Sequence, residues 1–96
     1  MTIEIKKNAE EIVLEITGRL DTITAPALDK TINEILCECK TLILDLKNLE
    51  YISSAGLRVL LTAHKKMKGA LKLISVQESV MEVFEITGFA DILVIA

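Results

Sequence analysis

The segment TLILDL, residues 41–46, restricts the folding of this chain more than any other. It is a nearly continuous apolar run, too short for a helix by itself, and such runs form strands that are covered on both faces or lie centrally in a parallel sheet. The sequence on either side has a different period. Upstream, Thr24 stands as N-cap before Pro26 in a first helical turn, and Leu28, Ile32, Ile35, Leu36 and Cys39 follow at helical spacing. Downstream, a helix opening near Ser54 places Leu57, Leu60, Leu61, His64 and either Met67 or the stem of Lys68 inward and closes with a basic last turn and Gly69 as C-cap. A buried strand between two amphipathic helices is the centre of an α/β sheet.

The rest of the chain extends that alternation. TIEIKK and EEIVLEIT read as two strands joined by a KNAE turn. ALKLISV is a further strand, followed by a third helix with Val80, Val83, Phe84 and Thr87 on one face. That helix stops at Gly88, where Phe89 packs back on Phe84, and DILVIA is the last strand. The predicted order is β-β-α-β-α-β-α-β, a single domain over residues 1–96. Its fold class is α/β: an open mixed sheet of about five strands, the helix-linked ones parallel, with helices mainly on one face. Sites in such sheets lie outside the carboxyl ends of the strands, here the loops GRLDTIT, KNLEYISS and SVQES.

Composition removes several function classes. One Tyr, two Phe and no Trp leave no platform for stacking bases, and a net charge of -3 opposes phosphate backbones, so nucleic acid is not expected as a partner. The start MTIEIKKNAEE resembles no signal peptide, and no apolar window is long enough to span a bilayer, so a soluble cytoplasmic protein without a membrane partner is expected. Cys37 and Cys39 sit two apart in a helical pattern, on nearly opposite sides, and read as ordinary buried or half-buried thiols. The carboxylates Asp21, Asp45, Glu50 and Asp91 fall on different elements, with no paired spacing for a metal. No cofactor is implied.

Enzymatic readings fail at the expected loops. A serine nucleophile elbow needs glycine two residues before the serine, where Ile52 stands. The one histidine, His64, lies ten residues beyond Ser54, about 15 Å along a helix. Glycines stand singly at 18, 56, 69 and 88, so no phosphate-cradling loop exists, and HKKMK fills a helix's last turn, where cations complement the dipole. What remains is Ser54 at a helix start, read both as the cap and as a place where a phosphate would lie over free N–H groups. Beside it an outward stripe of Ala55, Arg58, Val59, Thr62 and Lys66 offers a surface for a partner.

LILDLKNLEYISSAGLRVLL closely resembles the strand–loop–helix of STAS domains, in particular bacterial anti-sigma factor antagonists, with GRLDTITAPAL and VFEITGFADIL as supporting matches. The resemblance implies a non-enzymatic regulator of sigma-factor-dependent transcription. It would bind an anti-sigma factor serine kinase, be released by phosphorylation on the serine two before the glycine of S-x-G-L, here Ser54, and be reset by a serine phosphatase. Asp21 matches the acidic loop residue near that serine. The partner surface then comprises Asp21, Thr22, Ser53, Ser54, Ala55, Gly56, Arg58, Val59 and Thr62, on a monomer or weak dimer. Ser53 stands where many members carry aspartate and is a competing acceptor. The alternative is a STAS subunit docking constitutively in another assembly, a stressosome or a lipid-transport complex.

Overall fold

The computed structural model describes residues 1–96. Strand β1 (Thr2–Lys7) pairs antiparallel with β2 (Glu11–Leu20), and the turn between them is closed by the Asn8 N–H donating to the Glu11 carbonyl at 2.8 Å. Parallel strands β3 (Thr41–Ile52), β4 (Leu71–Ile74) and β5 (Val94–Ile95) complete a five-stranded sheet in the order β1-β2-β3-β4-β5. Helices α1 (Ala25–Ile35), α2 (Ser54–Lys66) and α3 (Glu78–Thr87) connect the parallel strands. Because each crossover joins neighbouring strands with the same hand, all three helices lie on one face. The predicted α/β fold is the observed one.

Alternation along the strands shows that one-sidedness. Ile12, Leu14 and Ile16 of β2, Leu42, Leu44 and Leu46 of β3, and Leu71 and Leu73 of β4 are buried under the helices. Each fully buried Leu or Ile contributes about 1.5–3 kcal/mol relative to leaving it in water. On the opposite face Thr41, Ile43 and Asp45 are only half-buried, so TLILDL is central without being covered twice. There Glu15 accepts an ion pair from Lys6 and another from Lys47 at 3.3 Å, and Lys47 reaches Asp45 at 3.8 Å. The Lys6 hydrogen bond, seconded by Lys47, holds the Glu15 carboxyl below its usual range.

Two predicted loops are largely strand. The segment KNLEYISS was expected to be a loop, yet β3 runs unbroken to Ile52, and GRL of GRLDTIT belongs to β2. The register explains why the pattern is hidden. Between Glu15↔Asp45 and Thr17↔Asn48, and again between Gly18↔Leu49 and Arg19↔Tyr51, β3 advances one residue more than β2. These bulges space the buried residues Leu46, Leu49 and Ile52 by three instead of two.

The helices differ in detail from expectation. α1 buries Ala25, Leu28, Ile32 and Ile35 and ends there; a single 3-10 turn, Leu36–Glu38, follows, and Cys39 is extended. Cys37 is therefore exposed, not buried or half-buried, while Cys39 is half-buried and its thiol is pushed up by burial. The inward stripe of α2 is Gly56, Leu57, Leu60 and Ala63; Leu61, His64 and Met67 sit at its margin, half-buried. Its left-handed stop begins at Lys68 (φ 52°), one residue before Gly69, whose N–H donates to the His64 carbonyl at 3.1 Å. In α3, Val80 and Phe84 are buried and Gly88 (φ 82°) ends the helix as expected, with Phe89 packed on the core. Thr87 is exposed, its hydroxyl turned back to the Val83 carbonyl at 2.7 Å.

Candidate functional site

At the carboxyl end of β2 the chain must turn into α1 within Asp21–Thr24. Thr24 occupies the cap position but its side chain does not cap the helix. Its hydroxyl accepts from the Asp21 N–H at 2.9 Å and donates to the Arg19 carbonyl at 2.8 Å. The loop ahead of the helix is held instead by Asp21, whose Oδ1 accepts from the Ile23 and Thr24 N–H groups, each at 3.0 Å. The Thr24 N–H bond, then that from Ile23, holds the Asp21 carboxyl below its ordinary range. The spacing D-x-x-T carried this signal in the sequence, since aspartate accepts from the backbone two and three residues on. The loop thus presents Thr22 and a largely bare Ile23, 87% exposed, at its tip.

The end of β3 lies beside it. The Ser53 N–H donates to the Leu20 carbonyl at 2.9 Å, which ties the start of α2 to the residue before Asp21. Ser53 is extended (φ -97°, ψ 175°) and is the N-cap: its Oγ accepts from the Gly56 N–H at 3.3 Å, and its carbonyl from Leu57 at 2.9 Å. This corrects the assignment of the cap to Ser54. Ser54 is the first helical residue, exposed. The two serines are thereby separated in role: one hydroxyl is engaged by the backbone, the other faces solvent.

Gly56 is where α2 meets the strand ends. A Cβ there would stand 2.8 Å from Leu20 Cγ and 2.9 Å from Ile52 Cγ1, closer than carbon atoms pack. Glycine lets the helix start seat directly on two buried side chains. Gly56 is itself buried, so it supports the predicted partner surface from beneath without forming part of it.

Between α1 and α2 runs a shallow groove of about 380 Å³. Ala55, Arg58, Val59 and Thr62 line it from α2, as the outward stripe foresaw, and Thr22 joins them from the loop. The α1 wall, Ala25, Pro26 and Asp29, was not foreseen. Val59 is half-buried and packed against the core, so it forms groove floor more than protruding surface. Lys66 bridges the far end, donating from Nζ to Asn33 Oδ1 at 2.7 Å. Of the predicted residues, Asp21, Thr22, Ser53, Ser54, Ala55, Arg58, Val59 and Thr62 are brought to one edge of the molecule. No group of three or more His, Cys, Asp or Glu side chains is placed to hold a metal, and no helix is long and apolar enough to cross a membrane.

A serine-bearing helix start stands at the strand ends of a one-sided α/β sheet, and the chain belongs to the STAS domain family, whose match covers residues 2–96. It is 31% identical over 96 residues to the anti-sigma-B factor antagonist of Bacillus subtilis (strain 168), spanning 97% of this chain and 88% of that protein. Its fold is similar to that of an anti-sigma factor antagonist from Mycobacterium paratuberculosis, with TM-score 0.88, 22% identity, and 98% of this chain and 83% of that one covered. It is also similar to the Bacillus cell fate determinant SpoIIAA in its phosphorylated form, with TM-score 0.75, 17% identity, and 99% and 91% covered.

Proposed function

We propose that this protein is an anti-sigma factor antagonist that binds an anti-sigma serine kinase and is released when that kinase phosphorylates Ser54. The observation that carries the reading is the division of labour between the serines: Ser53 caps α2, which leaves the exposed Ser54 hydroxyl as the available acceptor. The γ-phosphoryl group of ATP passes to Ser54 Oγ, ADP leaves, and the hydroxyl proton is lost. A serine phosphatase hydrolyses the ester and restores the antagonist. The contact surface is the edge formed by Asp21, Thr22, Ser53, Ser54 and Ala55 with Arg58, Val59 and Thr62, and Ile23 adds an exposed apolar anchor.

Physical magnitudes support a switch of this kind. The molecule exposes 5316 Å², of which a standard interface uses about 800 Å². The phosphate adds about -1.5 to -2 charges at the centre of that patch. Reversing binding from 99:1 to 1:99 requires about 5.5 kcal/mol of differential affinity, within reach of a dianion whose charge the partner surface leaves uncompensated. The fold tolerates the same group, because the first N–H groups of a helix favour an anion beside them.

The test is phosphorylation by the cognate kinase with ATP, mapped by mass spectrometry. Incorporation is expected at Ser54, abolished by Ser54→Ala and retained in Ser53→Ala. Phosphate that survives Ser54→Ala and disappears with Ser53→Ala would overturn the assignment.

A further inference from the structure

Arg58 follows Ser54 by one turn of α2, so the two side chains are i, i+4 neighbours on the helix surface. Of the eleven Lys and Arg residues, six have a partner within the molecule. Lys6 and Lys47 pair with Glu15, Lys7 with Glu38 and Lys40 with Glu10, while Arg19 lies over the Tyr51 ring at 4.1 Å. At the groove, Lys66 is held by Asn33. Arg58 lines the same groove, is exposed, and is the one cation in the first two turns of α2. Its guanidinium takes part in none of the molecule's ion pairs.

The edge that would receive an anion at residue 54 already carries one. Asp21 follows Leu20, whose carbonyl is bonded to the Ser53 N–H, and its carboxyl is held in the ionised form. A phosphate at Ser54 adds negative charge to the edge that already carries this carboxylate, and a cation one turn along α2 is placed to answer it. Guanidinium meets phosphate through two parallel N–H···O bonds, and an anion placed N-terminal to its i+4 cation is the favourable orientation on a helix.

We propose that Arg58 is the counter-ion of phospho-Ser54, folding back one turn to grip the phosphate and so withdrawing its charge from the α1–α2 groove. In the unmodified protein the same guanidinium is free to meet a carboxylate of the partner. Phosphorylation then acts twice: it places an anion at the head of the interface and removes a cation from its side. This inference rests on the reading of Ser54 as the modified residue.

The experiment needs no kinase. The full chain is made with phosphoserine incorporated at position 54 during synthesis, in the wild-type background and with Arg58→Gln, Arg58→Lys or Lys66→Gln. The phosphorus-31 shift is followed from pH 4 to pH 8. The second ionisation of a phosphoserine lies near 6, and Arg58→Gln is expected to raise it by on the order of half a unit, about threefold in proton affinity. Arg58→Lys should fall between the two, Lys66→Gln should match the wild type, and added salt should shrink the difference. Coincident curves for wild type and Arg58→Gln, or an equal displacement by Lys66→Gln, overturn the pairing whichever residue the kinase selects. Kinase phosphorylation mapped away from Ser54, with the titration difference intact, would instead defeat the proposed function and leave the pairing standing.

Discussion

Replacing Gly56 by alanine tests whether the helix start is seated as tightly as its geometry says. The added Cβ would lie 2.8 Å from Leu20 Cγ, 2.9 Å from Ile52 Cγ1 and 3.1 Å from Leu20 Cδ2. Carbon atoms ordinarily approach to about 3.5–4.0 Å, so roughly 0.7 Å must be found by moving α2, Leu20 or Ile52. Neither neighbour yields freely, since Leu20 is fully buried and Ile52 is 4% exposed. Overpacking of this kind costs about 1–3 kcal/mol, while alanine gains at most about 1 kcal/mol of helix propensity over glycine. With mid-range values for both, the net expectation is a loss of about 1 kcal/mol, read as a fall of about 0.5–1 M in the urea midpoint. A second arm identifies the cause. Leu20→Ala deletes both Leu20 atoms from the clash, so the double variant should be less destabilised than the sum of the singles by about 1 kcal/mol. If Gly56→Ala is as stable as the wild type, or the two substitutions add, the close approach is not what requires glycine.

Two further outcomes are expected. Ser53→Ala removes the cap and should lower stability by about 0.5–1 kcal/mol, whereas Ser54→Ala should leave it within about 0.5 kcal/mol; equal losses in urea titrations would contradict the assignment of Ser53 as cap. Asp21 has a depressed folded-state carboxyl, so its contribution is full above about pH 4, the unfolded value, and is lost as pH falls through the folded one. Asp21→Asn keeps an acceptor oxygen but cannot titrate, so its urea midpoint should fall less between pH 6 and pH 2.5 than that of the wild type. The acid loss would persist in part, because Glu15 is depressed in the same direction; an unchanged slope would remove Asp21 from the account.

Those predictions rest on features that were unequally visible in the sequence. Element order was legible because TLILDL is a short apolar run and Leu28, Ile32 and Ile35 keep helical spacing; that only Leu42, Leu44 and Leu46 of that run are buried was not, since Ile43 makes the run look apolar on both faces. The far half of β3 was not, since a strand with two bulges loses its period of two and resembles a loop. The exchange of roles between Ser53 and Ser54 was hidden for a related reason. A cap is set by backbone geometry at one residue, and adjacent serines carry no pattern that selects between them. Asp21, Ser54 and Arg58 were named from sequence, but the α1 wall of the groove depends on how two helices pack, which neither helix encodes alone.

The paired bulges of β3 also limit how this chain can vary in length. One extra residue reverses which side of the sheet every later residue faces; two restore it. The buried residues run from Leu46 through Leu49 to Ile52, and the arm emerges in its original phase with Ser53 still under the Leu20 carbonyl. Deleting Lys47 alone would turn Leu49 outward and rotate the serines away from the groove. Removing one residue from each bulge would only shorten the arm. Insertions and deletions here should be tolerated in pairs and rejected singly, so the counting of residues between Asp45 and Ser53 is itself part of what aims Ser54.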